Sequence, residues 1–314
     1  MKTLRQWMGE SLLVLRPLPA ERLAAMRILV GLFALIYLIS RHRYLLSPAT
    51  MPAQAFEPVG LGLWLQGPLS APALYLAYAF SLLSALAFVG GWYFAWSAPL
   101  FALSLLWITT YRSCWSMVFH TENLMVLHVG VLALAPAAHA WSLDAKRRAT
   151  PAPAHPRYAW PLRLMALIVV LSYLIPGVAK LRHSGLNWLN PQWLRYWVAY
   201  DNLRKIALGH IASPLGIALV PHRWLFTPLS FGAIALELGA PLVLLGRRVA
   251  AFWVVGILVF HWLVLIFMVV AFPYALTGIP FAMFFPVERW LYRVSKWSSR
   301  RRAPEGFAQP RTQP

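Results

Sequence analysis

Long apolar runs separated by short polar breaks dominate the chain, and their lengths predict membrane helices. A bilayer core takes about 20 residues of helix. Runs of that order cover residues 23–40, 71–89, 94–111, 119–139, 158–181, 224–245, 249–272 and 273–291. The pattern predicts an all-α fold, a polytopic membrane helical bundle of about eight transmembrane helices. The last run is the most broken, since Pro273, Gly278 and Pro280 interrupt it. Gly90-Gly91 reads as a turn between the second and third runs. Residues 186–223 depart from the pattern. Trp193, Trp197 and Tyr200 fall there at i, i+4 and i+7, with Arg195, Arg204 and Lys205 nearby. Tryptophan and tyrosine favour the headgroup level, so residues 191–205 are expected to form a helix lying in the outer interface.

Composition sharpens this picture. Hydrophobic residues make up 60% of the chain and charged residues 12%, about half the charge of a soluble domain. The net charge of +19 does not point to nucleic acid, because the basic residues sit in short loops and tails rather than on one soluble face. Membrane lipids with anionic headgroups are the expected partners. Three segments follow: an amphipathic cytoplasmic N-terminal segment (1–22), the transmembrane domain (23–292) and a basic, disordered tail (293–314). With eight spans, seventeen basic residues fall on one side and eight on the other. Both termini are therefore expected in the cytoplasm of a multi-pass cell-membrane protein. A single cysteine, Cys114, excludes an internal disulfide, a CxxC centre and a cysteine-based metal site. No two histidines have metal-ligand spacing on one helix, so no metal is expected.

The candidate chemistry centres on residues 173–183. On a helix Tyr173, Pro176, Gly177 and Lys180 share a face. Pro176 frees a backbone carbonyl and Gly177 clears space. A lysine held out of water loses preference for its charged form and can act as a base. Snorkelling toward the headgroups is the plain alternative for Lys180. The predicted topology puts Lys180 at the same outer depth as His120, Glu122 and Asn123, a plausible base with polar partners; the alternative is a capped helix start. His128 lies two turns deeper, facing the same space or packing. Glu237 and His261 lie deep within apolar runs, where ionisable groups are costly and function is the default suspicion. Neutral side chains hydrogen-bonded between helices are the structural alternative.

Tyr-Leu-Ile-Pro-Gly-Val-Ala-Lys-Leu (173–181) followed by Asn187-Trp188 resembles the segment around the catalytic lysine of vitamin K-dependent gamma-carboxylase. It is also similar to the wider bacterial group named for a horizontally transferred transmembrane domain. The likeness continues in His139 to Asp144, Trp224 to Pro228, Glu237-Leu-Gly, and Phe260-His261 before Phe272-Pro273-Tyr274. The resemblance implies a membrane domain in a bacterial inner membrane. It also implies Lys180 as catalytic base toward a reduced, vitamin K-like quinone, with His120 assisting. Tyr173, Gly177, Glu122, Asn123, Glu237 and His261 are the expected substrate-binding residues. The carboxylase's second, adjacent lysine is replaced here by Ala179. The carboxylase also has a large C-terminal portion that helps bind its substrate protein, whereas this chain is expected to stop about twenty residues after its last span. The fold and the lysine are therefore carried over ahead of protein carboxylation. Three readings stay open. One is an enzyme acting on a membrane quinol through Lys180. Another is a non-enzymatic protein that binds or transports a lipid or quinone. The third is a structural subunit with Lys180 paired to Glu237 or Glu122.

Overall fold

In the computed structural model, which describes residues 16–115, 118 and 120–292, the elements are helices, with no strand among the described residues. Most of the amphipathic N-terminal segment and the basic tail lie outside the described residues. Among the described residues, eight helices of ten or more residues carry the fold. They are α1 (Ala20–Ser40), α2 (Ala71–Gly90), α3 (Phe94–Ser113), α4 (Asn123–Ala133), α5 (Ala159–Ser184), α6 (Pro191–Ala207), α7 (Arg223–Leu238) and α8 (Arg247–Met268). Five are long and apolar enough to cross a bilayer: α1, α2, α3, the stretch Pro156–Leu189 that contains α5, and α8.

Among the described residues five of the eight expected runs form helices of that length and apolarity, and the other three are shorter or broken for backbone reasons. The run at 119–139 yields only the 11-residue α4, roughly 16 Å of helix. The run at 224–245 gives the 16-residue α7 and then a 3-10 segment, Ala240–Leu245, begun by Gly239 and Pro241. The run at 273–291 becomes a four-residue helix, Pro273–Leu276, and a 3-10 turn, Ile279–Phe284, parted by Gly278 at φ 73°.

Polar clamps fix the α1–α5 half. The α2–α3 turn needs Gly91 at φ 60°, where a Cβ would come within 2.9 Å of the Arg27 guanidinium. Asp144 accepts from the backbone N–H of Tyr93 (3.0 Å) and Phe94 (2.7 Å), a carboxylate at the positive end of α3. Arg27 is fully buried. It donates to the carbonyls of Ala137, Ala140 and Trp141, so it holds the chain after α4 rather than snorkelling. A bidentate pair between Arg22 and Glu288 (3.0 and 2.9 Å) ties the start of α1 to the far end of the described chain.

The other half is closed around the end of α8. A helix leaves its last carbonyls without intrahelical donors. Here Ile266 receives Ser213 Oγ (2.6 Å), Phe267 receives Asn202 Nδ2 (2.9 Å) and Met268 receives Lys205 Nζ. All three donors come from α6 and the turn after it. Trp193, Tyr196, Trp197, Tyr200 and Leu203 are exposed on α6, while Val198, Asp201 and Asn202 are buried. One face of α6 therefore packs on the bundle and the other presents rings outward, the arrangement an interfacial helix requires. Its 17 residues leave it outside the membrane-crossing set.

Candidate functional site

Helix α5 runs unbroken through Pro176. Proline has no N–H to give the carbonyl four residues back, so that of Ser172 is released on the same side as a cavity of about 620 Å³. The cavity lies between α5, α8, the start of α4 and the segment around Phe272–Ala275. His120, Asn123, Tyr173, Glu237, His261 and Tyr274 supply its polar groups. Leu124, Leu171, Ile175, Phe260 and Val264 make the wall apolar. Tyr173 Oη and His261 Nε2 are 2.7 Å apart. The Tyr173 ring also meets Trp253 edge-on at 5.1 Å, and Trp253 is fixed by donating to the Leu236 carbonyl at 2.8 Å.

Lys180 itself is not on the wall. Its Nζ lies 2.5 Å from Glu237 Oε1 and 5.0 Å from the centre of the Trp188 ring. Glu237 is 5% exposed and lines the cavity, and its Oε2 is buried without a protein partner. The carboxylate thus stands between the lysine and the cavity. Gly177 serves this contact: a Cβ there would come within 2.9 Å of Glu237 Cβ and 3.3 Å of the Leu238 backbone N. It lets α7 approach α5 and does not line the ring-sized space.

The remaining sequence candidates divide between two cavities. His120 lies beside Phe272, ring centres 5.6 Å apart, at the first cavity. Asn123, the first residue of α4, lines both. Glu122 faces the second, accepting from Tyr37 Oη (3.1 Å) and Thr121 Oγ1 (2.5 Å). His128 is fully buried, its Nδ1 2.9 Å from Tyr274 Oη. Tyr274 is the residue that sequence reasoning passed over. Its signal was present in Phe272-Pro273-Tyr274, and it reaches the cavity because the chain turns back after α8. Two tyrosine–histidine pairs, 173–261 and 274–128, therefore flank the same space. At the other end of the fold, the His139–Asp144 stretch is structural. His139 Nδ1 lies 2.9 Å from Tyr158 Oη, and Asp144 caps α3.

Helices of this length and apolarity, enclosing a largely apolar cavity, define a multi-pass integral membrane protein. The chain belongs to the HTTM family: the HTTM domain matches residues 15–290, and it is the family of the membrane domain of vitamin K-dependent gamma-carboxylase. No curated protein and no solved structure gives a significant match.

Proposed function

We propose that this chain binds a membrane-soluble phenol, typified by a reduced quinone, in the cavity between α5, α8 and the start of α4, and that the Lys180–Glu237 pair takes the proton of its ring hydroxyl. One observation carries the reading. Glu237 is bonded to Lys180 at 2.5 Å and at the same time lines a cavity of about 620 Å³. A flat apolar ring suits a wall of this kind, with a few polar groups to orient it, and Tyr173–His261 offers such a handle.

The proton count is simple. The pair holds one shared proton, as ammonium and carboxylate or as amine and carboxylic acid. Proton transfer breaks the ring O–H bond and leaves ammonium beside carboxylic acid, with the phenolate next to the Glu237 carboxyl and the positive charge behind it. In the second description of the resting pair, Lys180 is the base. A phenol ionises near pH 10, so ionisation at pH 7 needs about 4 kcal/mol of stabilisation. An ammonium in a site shielded from water is a fitting source.

A reduced naphthoquinone bound anaerobically to the detergent-solubilised protein tests this through its absorbance against pH. Lys180→Arg keeps a cation for Glu237 but cannot release a proton. Wild type is expected to ionise the bound ring about tenfold more readily, ~1.4 kcal/mol, than Lys180→Arg or the double variant Lys180→Met/Glu237→Gln, with all three binding it. Wild-type behaviour from Lys180→Arg would make Glu237 the base and the lysine only its counter-ion. No binding by wild type would remove the quinol. A second reading, binding or transport without chemistry, is favoured by the charge of Lys180 being already matched by Glu237; it predicts the same binding and no difference in ionisation.

A further inference from the structure

Asn123 separates the first cavity from a second, of about 360 Å³, bounded by the ends of α1 and α3 and by α4. Arg112 lines it and is 8% exposed. Its Nε donates to the Tyr44 carbonyl at 3.0 Å and its guanidinium covers the Tyr44 ring at 4.2 Å. Nη1 is buried without an acceptor, and among the described residues no carboxylate pairs with this arginine. A buried guanidinium left without an anion is costly. A second cation makes the imbalance larger, because the exposed Arg41 lies over the same Tyr44 ring at 4.6 Å.

Glu122 lines the same cavity and, among the described residues, is held by the hydroxyls of Tyr37 and Thr121. The space therefore offers an unmatched cation and, apart from it, an anion bonded to neutral donors. Leu106 and Leu127 line the cavity too, and they are 37% and 50% exposed on the outer faces of α3 and α4. Apolar side chains exposed on membrane helices face acyl chains. A polar interior beside such a lipid-facing rim matches a headgroup with its tails left outside.

We propose that this second cavity is a phospholipid site, with the phosphodiester on Arg112 and an amine-bearing headgroup directed at Glu122. Arginine is suited to the phosphate because its planar fork gives two parallel donors. The site is independent of the Lys180–Glu237 cavity and does not require any reaction there.

Native mass spectrometry of the protein released from nanodiscs of equal ethanolamine, glycerol and choline phospholipids tests it, with inorganic phosphate and a fatty acid as separate additions. Wild type is expected to retain one ethanolamine phospholipid. Arg112→Gln should lower retention of every phospholipid at least tenfold, and Glu122→Gln should shift the preference from the ethanolamine to the glycerol headgroup. Leu127→Trp fills the rim from an exposed position without touching either charge and should also expel the lipid. Undiminished retention in Arg112→Gln or Leu127→Trp overturns the site. Displacement of the lipid by phosphate or fatty acid alone makes it a simple anion pocket and overturns the phospholipid. An unchanged preference in Glu122→Gln overturns the headgroup assignment.

Discussion

At the scale of single residues, buried charge is handled in two ways. Arg27 and Arg22 both serve the packing of α1, the first by donating to three carbonyls with its Nε left buried and unpartnered, the second by pairing with Glu288, and neither lines either of the two cavities. Glu237 and Arg112 each keep a buried polar atom without a protein partner, and each lines a cavity. Polar atoms left open beside a space are the ones that point to ligands. Outside the helices, His139 gives a pH prediction. Burial lowers its pKa to about 4, helped by the charges of Arg148 and Arg157. The folded state therefore holds His139 neutral while the unfolded chain takes a proton near pH 6.5. Its contribution is present above pH 6.5 and is lost as pH falls toward 4. Thermal unfolding in detergent should show a stability loss across that window, and His139→Gln, which cannot titrate, should flatten it. An unaltered slope in the variant would place the acid sensitivity elsewhere.

At the scale of elements, the end of α8 is the joint on which the second half depends. Asn202 donates to the Val198 and Phe267 carbonyls and accepts from Ser213 N–H at 2.7 Å, all from a buried position. Asn202→Ala strands the Ser213 N–H and the Phe267 carbonyl, at a cost of about 1–3 kcal/mol. Hydrogen exchange should rise at Ser213 and through the turn after α6, with α1 to α3 unaffected; unchanged protection at Ser213 would show the cap to be dispensable. Legibility in the sequence follows the same division. Hydropathy located α1, α2, α3, α5 and α8, because each keeps both an apolar composition and an unbroken backbone. The helices within the runs at 119–139, 224–245 and 273–291 are shorter than the apolar stretches, because Pro136, Gly239 with Pro241, and Gly278 with Pro280 stop helices that side-chain hydrophobicity would continue. Lys180, Tyr173 and Glu237 stood out as polar groups in apolar surroundings, and Glu237 as partner of Lys180 was one of the open readings. The packing role of Gly177 and the contact between the half-buried Tyr44 ring and Arg112 depend on segments far apart in sequence, which periodicity does not register.

At the scale of the whole molecule, Arg22–Glu288 joins the first membrane helix to the segment beyond α8, so the helices close around a shared interior. Two cavities open into that interior on either side of the start of α4, one lined by Glu237 and one by Arg112. The apolar cavity with paired Tyr–His groups is the proposed phenol site, and the charged one the proposed lipid site. Photolabelling with a naphthoquinone bearing a diazirine, followed by peptide mapping, tests the central claim most directly. The predicted result is label on α5 near Tyr173, on α8 near His261 and on the peptide carrying Tyr274, all suppressed by excess unlabelled reduced quinone. Label spread over the outer faces of α2 and α3, or label at Tyr173 that excess quinone does not suppress, would contradict it.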